Sequence, residues 1–243
     1  MTMPVSTTSA VGCSGCNLRA SCLPDGLSGK DIELIENLIP AHRVIRRGSP
    51  LFRSGDPLEA FYVIRLGFIK TTVTLNDGRE QVVGFHMAGD ILGFDAVGGD
   101  IHVCDAVALE DTEVCVIPYK RFNEVAAALP SLHRHVHEQM SLDMNRLHGI
   151  MLMLGSMHAD ERLASFLLQL SQRYEARGFS RTEFVLRMTR AEIGSYLGLK
   201  LETVSRVLSR FSAMKLIEVN QKHVRILDAK GLRALISCGQ GLE

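Results

Sequence analysis

Three cysteines lie within ten residues near the start of the chain, which has only six in total. Cys13, Cys16 and Cys22 occur in the stretch VGCSGCNLRASCLP, with no β-branched residue between the first and the last. Clustered thiols can form disulfides, bind a metal or take part in redox chemistry. The chain has no secretory signal pattern and no run of 18 apolar residues, so we expect a cytoplasmic protein. A reducing compartment favours metal binding or redox chemistry over stable disulfides.

Two kinds of metal centre are compatible with these thiols. An iron–sulfur cluster takes four thiolates, and three from one short segment can wrap one face of a four-iron core. A structural zinc site built from four cysteines usually has two C-x2–4-C pairs, whereas this chain has one, Cys13 and Cys16. The spacing favours the cluster and leaves zinc as the alternative. Spacing does not choose between Cys104 and Cys115 as a fourth ligand.

Charge is distributed unevenly along the chain. The formal net charge is zero, but residues 157–243 carry 14 lysine and arginine against 9 aspartate and glutamate. Local positive charge of this kind favours nucleic-acid binding by the C-terminal third. With 243 residues and 46% hydrophobic content, the chain is long enough for two globular domains.

The pattern between about Arg43 and Pro118 is typical of β-structure. Short runs that alternate apolar and polar residues are separated by glycines, and Asn76-Asp77-Gly78 is a good hairpin turn. Many short strands at this spacing predict a sandwich or jelly roll. A short helix is expected before it, from Asp31 to Leu38.

From Leu129 the pattern predicts one long helix with a single apolar stripe, which we call the seam. Such a stripe packs either on the protein's own β domain or against a second copy in a coiled coil. Three histidines, His133, His135 and His137, are expected to be solvated at the exposed start of this helix. His158 is expected to cap or pack near the hinge between the domains. The seam begins at Val136, and its expected dimer-interface residues are Met140, Met144, Leu147, Met151 and Leu154.

The segment MTRAEIGSYLGLKLETVSRVLSRF predicts a helix-turn-helix. Thr189 and Glu192 have the spacing of a capping box, and Gly198 ends the first helix. A second helix is expected from about Leu201 to Met214, with Lys200 at its N-cap. Two wing strands follow, from Leu216 to Val219 and from His223 to Leu227.

The first turns of that second helix carry side chains suited to the major groove of DNA. Arg206 can donate to guanine, Glu202 can accept from cytosine, and Ser205 can bond a base or contact a thymine methyl. Thr203 and Arg210 complete the predicted DNA-binding set. The alternative is a plain pair of helices with solvated charges.

The chain resembles the Crp/Fnr family of bacterial transcription regulators, and within it the oxygen-responsive Fnr/Anr type. The resemblance covers nearly the whole chain. It rests on the three N-terminal cysteines with Pro24 and on four further stretches. These are GFHMAGDILGFDA (84–96), VCVIP (114–118), ADERLASFLLQLSQRY (159–174) and MTRAEIGSYLGL with ETVSR (188–206).

The resemblance implies an α+β fold in four parts and a cofactor. A cysteine-rich segment (1–28) would precede a cyclic-nucleotide-binding-like jelly-roll sensor domain (29–128), a dimerisation helix (129–156) and a winged helix-turn-helix domain (157–243). It implies a [4Fe–4S] cluster held by Cys13, Cys16, Cys22 and, through the VCVIP match, Cys115. The sixth cysteine, Cys238, is expected to be inert.

The implied function is oxygen-sensing transcription regulation, without enzymatic activity. With the cluster intact at low oxygen, the chain would form a homodimer and bind a palindrome similar to TTGAT-N4-ATCAA, in contact with RNA polymerase. Some relatives carry an acidic residue at the position of Leu147, so we expect a more persistent dimer here. The alternatives are a redox- or nitric-oxide-responsive regulator partly active in air, and an iron–sulfur electron-transfer protein.

A cyclic nucleotide is not expected as effector. In nucleotide-binding relatives the pocket presents Gly-Glu and an arginine that pairs with the cyclic phosphate. The matching stretches here are Gly93-Phe94-Asp95 and Cys104-Asp105-Ala106. The arginine is missing, and Asp105 would repel the phosphate.

Overall fold

The computed structural model describes residues 12–237. These residues form two compact units, which divide inside one long helix between Asp143 and Met144. No helix in the described range is both long enough and apolar enough to span a membrane. The predicted role of Cys238 falls outside the described residues.

The N-terminal unit contains the predicted jelly roll. Its strands form two four-stranded sheets, ordered β1-β8-β3-β6 and β2-β7-β4-β5, in which all pairings are antiparallel. The turn at Gly78 adopts a positive φ of 85°, which glycine allows without steric cost. The strands are β1 (Ala41–Ile45), β2 (Pro50–Phe52), β3 (Ala60–Leu66), β4 (Phe68–Thr74), β5 (Glu80–Met87), β6 (Ile91–Leu92), β7 (Asp105–Ala108) and β8 (Thr112–Pro118).

Strand β3 is apolar on both faces because both faces are covered. Successive side chains of a strand point to opposite faces of its sheet. Tyr62 and Ile64 pack in the core between the two sheets. Phe61 and Val63 pack in a second core, where helices cover the outer face of the sheet. The run AFYVIRL is therefore nearly continuous in hydrophobicity rather than alternating.

Helices build the second core. A capping box joins Ser28 and Asp31 at the start of α2. The sequence pattern predicted neither the helix α1 nor the helix α3. The helices of this region are a 3₁₀ turn at Cys13–Gly15, α1 (Arg19–Cys22), α2 (Gly29–Glu36), a 3₁₀ turn at Phe94–Ala96, α3 (Tyr119–Ala128) and the long α4 (Pro130–Ser156).

The seam of α4 has two environments. Val136 and Met140 pack into the second core of the N-terminal unit. Farther along, Met144, Leu147 and Met151 are 57%, 51% and 69% exposed. The first residues of the seam thus pack on the chain's own β-structure, and the following ones are left uncovered within this chain.

The C-terminal unit contains the predicted helix-turn-helix and wing. Its sheet has three strands in the order β10-β11-β9, one more than the pattern predicted. Its elements are α5 (Ala159–Glu175), β9 (Glu183–Val185), α6 (Arg190–Leu197), α7 (Leu201–Ala213), β10 (Ile217–Asn220), β11 (His223–Ile226) and α8 (Ala229–Ser237).

Residues that are close together in the sequence determine the turn between α6 and α7. Thr189 and Glu192 form the expected capping box, and Gly198 ends α6 with a left-handed φ of 62°. The two helices approach so closely that a Cβ on Gly194 would lie 2.5 Å from the Leu199 carbonyl oxygen. Lys200 is the N-cap of α7 and supplies no side-chain cap.

Candidate cofactor cavity and DNA-binding face

Four cysteines from two distant parts of the chain line one cavity in the N-terminal unit. Cys13 begins the 3₁₀ turn, Cys16 directly follows it, and Cys22 ends α1, whereas Cys115 comes from β8. Most of the rest of the wall is apolar, although the charged Arg19 also lines it. It includes Leu23, Ile35, Leu38, Phe61, Val63, Phe122, Leu132 and Val136, together with His135. The cavity thus brings together the four thiols that the resemblance implied as ligands.

The structure distinguishes Cys115 from Cys104, the other candidate for the fourth ligand. Cys104 is buried in the core between the two sheets and does not line the cavity. Its thiol donates to the Asp95 carboxylate at 3.5 Å, and burial with that carboxylate raises the pKa of the thiol far above its usual value. Cys104 is therefore a structural core residue.

The cysteine segment is anchored by a residue that the sequence analysis did not single out. The Ser14 backbone N–H donates to Glu36 Oε1 at 2.7 Å, and this hydrogen bond holds the pKa of Glu36 below its usual value. Gly12 passes so close that a Cβ there would lie 2.6 Å from the same oxygen. Glu36, at the end of α2, thereby positions the turn that carries Cys13 and Cys16.

Burial favours the protonated form of two thiols of the cavity. Burial raises the pKa of Cys115 to about 12, with the neighbouring Cys13 and Cys16 adding to the rise, and burial also raises the pKa of Cys13. Without a cofactor these thiols are neutral and the cavity is apolar. A metal group that takes them as thiolates displaces their protons. Among residues 12–237, no group of three or more His, Cys, Asp or Glu side chains is placed so that it could hold a metal ion as the structure stands.

Charged residues lie beside the cavity on the same sheet. Arg65 donates to Glu113 Oε1 at 2.7 Å, and His42 Nδ1 lies 3.0 Å from the same oxygen. Burial alone would raise the pKa of Glu113, but the hydrogen bonds with His42 and Arg65 lower it. The Arg65 guanidinium also interacts electrostatically with Cys115 and Cys16, which places positive charge near the thiols.

The prediction that His135 is solvated was wrong. His135 is only 8% exposed and lines the cavity, whereas His133 and His137 are exposed as predicted. The reason is the helical repeat: Leu132, His135 and Val136 share the face of α4 that packs on the β-structure. His158 lies at the N-cap of α5, where its backbone N–H donates to the Glu161 carboxylate.

The predicted DNA-binding residues lie along α7. Val204, Val207, Leu208 and Phe211 are buried, which turns Glu202, Arg206 and Arg210 outward. Ser205 and Thr203 are half-buried, and each side-chain hydroxyl accepts a hydrogen bond from an arginine. Arg190 Nη1 donates to Ser205 Oγ at 3.1 Å, and Arg206 Nη2 donates to Thr203 Oγ1 at 3.4 Å.

Arg210 has a partner that the sequence did not indicate. Its guanidinium pairs with the carboxylate of Asp160, in the first turn of α5. Arg206 and Arg210 line an open groove that also includes Thr203 and Ala159. Two arginines beside the N-terminus of a helix favour phosphate at this face.

A jelly-roll unit followed by a long helix and a winged helix-turn-helix defines a class of sensor-linked, DNA-binding transcription regulators. A model of the Crp-like helix-turn-helix domain matches residues 161–235, and one of the cyclic nucleotide-binding domain matches residues 42–128. The transcriptional regulatory protein btr of Bordetella pertussis is 46% identical over 93% of this chain and 94% of that protein. The chain belongs to the Crp/Fnr family.

Two further comparisons agree with this assignment. The fumarate and nitrate reduction regulatory protein of Salmonella typhimurium is 39% identical over 93% of this chain and 90% of that protein. The solved structure of FixK2 from Bradyrhizobium japonicum has a TM-score of 0.75 at 28% identity, covering 80% of this chain and 96% of that one. The chain is a DNA-binding transcription regulator rather than an enzyme, and the predicted fold class is confirmed.

Proposed function

We propose that this chain is an oxygen-sensing regulator that holds a [4Fe–4S] cluster on Cys13, Cys16, Cys22 and Cys115. With the cluster intact at low oxygen it forms a homodimer and binds palindromic TTGAT-N4-ATCAA-like operators. The observation that carries the proposal is that these four thiols, from two distant parts of the chain, line one largely apolar cavity. A [4Fe–4S] cluster bound there supplies the oxygen-reactive chemistry.

The residues around the cavity order the N-terminal segment. Leu23 is buried in the second core, and Glu36 fixes the backbone of Ser14. Ligation by the three N-terminal cysteines together with Cys115 ties this segment to strand β8. Loss of ligation would remove this link and leave the segment held by its remaining contacts, such as those of Leu23 and Glu36.

The same helix that closes the cavity carries the dimer seam. Leu132 and Val136 of α4 line the cavity, and the exposed Met144, Leu147 and Met151 follow on the same helix. A change in how the start of α4 packs can therefore bias pairing along its seam. Pairing places two recognition helices on two half-sites about one helical turn of DNA apart.

Base recognition is assigned to α7. Arg206 donates to guanine, Glu202 accepts from cytosine, and Ser205 bonds a base or contacts a thymine methyl, while Thr203 and Arg210 complete the DNA-binding set. A dimer doubles the phosphate contacts, so its affinity depends more steeply on salt than that of a monomer. We also propose that the dimer contacts RNA polymerase, through a surface that we do not assign. Its site of action is the cytoplasm, where bacterial DNA lies.

Cyclic nucleotide is not part of the proposal, although the chain matches the cyclic nucleotide-binding domain. The stretches that would bind the nucleotide carry carboxylates. Asp95 accepts hydrogen bonds from the Val103 N–H and the Cys104 thiol, and Asp105 accepts from the Ser54 N–H at 2.7 Å. A cyclic phosphate would meet negative charge there.

The test is anaerobic purification with iron, acid-labile sulfide and zinc counted per chain, followed by gel shift with the palindrome before and after air. We expect iron and sulfide in about equal amounts, and binding that weakens in air. Cys115→Ser should lose both the cofactor and operator affinity. Cys104→Ser is the matched control, and it should keep both. Zinc without sulfide, or Cys115→Ser behaving as wild type, would falsify the proposal.

A further inference from the structure

One guanidinium lies where the ends of two helices meet. Arg162, near the start of α5, donates from Nη2 to the Leu154 carbonyl oxygen at 3.0 Å and from Nη1 to the Leu197 carbonyl oxygen at 2.9 Å. Its Nε donates to the Met157 carbonyl oxygen at 2.8 Å. Leu154 belongs to the last turn of α4, and Leu197 is the last residue of α6. Arg162 thus connects the end of α4 with the helix-turn-helix.

The three acceptors explain why this residue is an arginine. The carbonyl groups in the last turn of a helix have no partner within the helix, and the negative end of the helix dipole lies there. The planar guanidinium carries its N–H groups in a fixed fork, and all three nitrogen atoms of Arg162 donate here. A lysine keeps the charge, but all its donors radiate from one nitrogen atom. A lysine therefore cannot reproduce these three bonds.

Close packing joins the same two helices. Gly198, which ends α6, lies so near the seam that a Cβ there would be 3.1 Å from Leu154 Cδ2 and 3.2 Å from Arg162 Nη1. Leu154 is also the last residue of the seam. The final turn of α4 is therefore fixed to the helix-turn-helix by hydrogen bonds and by packing, all within the C-terminal unit.

We propose that Arg162 is a positioning residue, which sets the angle between the seam of α4 and the recognition helix α7. The inference rests on the proposed function, because it requires a dimer that binds a palindrome. Fixing the end of α6 also fixes α7, since the backbones of the two helices are in close contact at Gly194 and Leu199. In a dimer paired along the seam, the bonds of Arg162 in both chains set the separation and rotation of the two recognition helices.

A dimer with fixed recognition helices should be strict about half-site spacing. One added or removed base pair moves a half-site by about 3.4 Å and rotates it by about 35° around the DNA axis. Wild-type protein should therefore bind TTGAT-N4-ATCAA about tenfold more tightly than versions with N3 or N5 spacers. A dimer without the three bonds can follow the shifted half-site, but it loses more conformational freedom when it binds the N4 palindrome.

The first experiment compares operators that differ only in their spacer. Wild type and Arg162→Lys, both prepared without air, are titrated by fluorescence anisotropy with the N3, N4 and N5 palindromes and with a duplex that carries one half-site. Arg162→Lys should bind the N4 palindrome about three- to tenfold more weakly and lose most of the preference for N4. Its affinity for the single half-site should stay within about twofold of wild type. Arg181→Lys, at an exposed position of the same unit, is the matched control and should behave as wild type.

The second experiment observes the geometry without DNA. A ketone-bearing amino acid in place of Lys230, exposed on α8, carries one spin label in each chain and leaves the cysteines unmodified. Pulsed dipolar spectroscopy should give one narrow distance between the two labels in the wild-type dimer and a broad distribution in Arg162→Lys. Sedimentation checks that both proteins are dimers, and circular dichroism checks that both are folded.

The outcomes separate this inference from the proposed function. If wild type binds the palindrome but Arg162→Lys keeps its spacer preference, the role of Arg162 is overturned and the proposed function stands. Equal losses on the palindrome and on the single half-site also overturn it, because Arg162 then only stabilises the helix-turn-helix. A broad distance distribution in wild type overturns it even where the variant does not fold. Wild-type protein that binds no palindrome overturns both.

Discussion

Arg190, the first residue of α6, donates a hydrogen bond from Nη1 to the hydroxyl of Ser205 on α7 at 3.1 Å. The bond connects the two helices of the helix-turn-helix. Because the guanidinium occupies a lone pair of the Ser205 oxygen, the hydroxyl hydrogen points away from Arg190. Ser205 is thereby prepared to donate to an acceptor on a base.

Removal of this arginine should weaken operator binding through Ser205. We expect Arg190→Ala to lower affinity for the palindrome about three- to tenfold, the range for loss of one hydrogen bond. Fluorescence anisotropy at fixed salt measures it. Ser205→Ala should lower operator affinity by a smaller factor in the Arg190→Ala background than in wild type. Fully additive effects would contradict the coupling, and Lys230→Ala on α8 is the control for lost positive charge.

The ion pair between Asp160 and Arg210 should restrain DNA binding. In the free protein Asp160 neutralises an arginine that lies beside the groove of the DNA-binding face. Asp160→Asn should raise operator affinity about two- to fivefold, since an exposed ion pair contributes little. Operator affinity should also fall more steeply with salt concentration, because Arg210 is then free to displace a counterion from the DNA. Asp228→Asn, distant from Arg210 in sequence and carrying the same charge change, should have a smaller effect, and equal effects would refute the specific pairing.

Glu36 should control how firmly the cofactor is held. Glu36→Gln weakens the acceptor for the Ser14 N–H and should loosen the turn between Gly12 and Cys16. We expect the cofactor to be lost several-fold faster in air or to a chelator, measured by the visible absorption. Glu33→Gln, an exposed residue of the same helix, is the control. Identical lifetimes in the two variants would show that the Ser14 contact is unimportant.

Leu147 should make the dimer more persistent after the cofactor is lost. Its apolar side chain is half exposed in the seam, and an aspartate there would face its own copy across a twofold axis. Sedimentation of cofactor-free protein at micromolar concentration should show some dimer beside monomer for wild type, and monomer alone for Leu147→Asp. Leu142→Asp, on the opposite side of α4 by helical geometry, should leave the dimer unchanged. Monomeric wild type would refute the prediction.

Elements with local signals were predictable from the sequence. The capping box of Thr189 and Glu192, the left-handed Gly198 and the alternating strands depend on residues close together in the chain. The strand β9 was missed because its three residues give almost no periodicity. Its presence depends on pairing with β11.

The parts of the site that depend on distant residues were not predictable in this way. Spacing could not decide between Cys104 and Cys115, since that choice depends on which core each residue joins. His135 was assigned to solvent because its histidine neighbours are polar, although its own face of α4 packs on the β-structure. Glu36 belongs to no recognisable sequence motif. Its role depends on a contact with Ser14, which is distant in the chain.

Strand β3 is a partition between two compartments. Phe61 and Val63 form part of the wall of the cysteine cavity, while Tyr62 and Ile64, their immediate neighbours, fill the interior of the jelly roll. A substitution that changes side-chain volume on one face of β3 shifts the backbone that carries the side chains of the other face. Substitutions meant to enlarge the cavity should therefore be made at Leu132 or Val136 of α4, and β3 should be left unchanged.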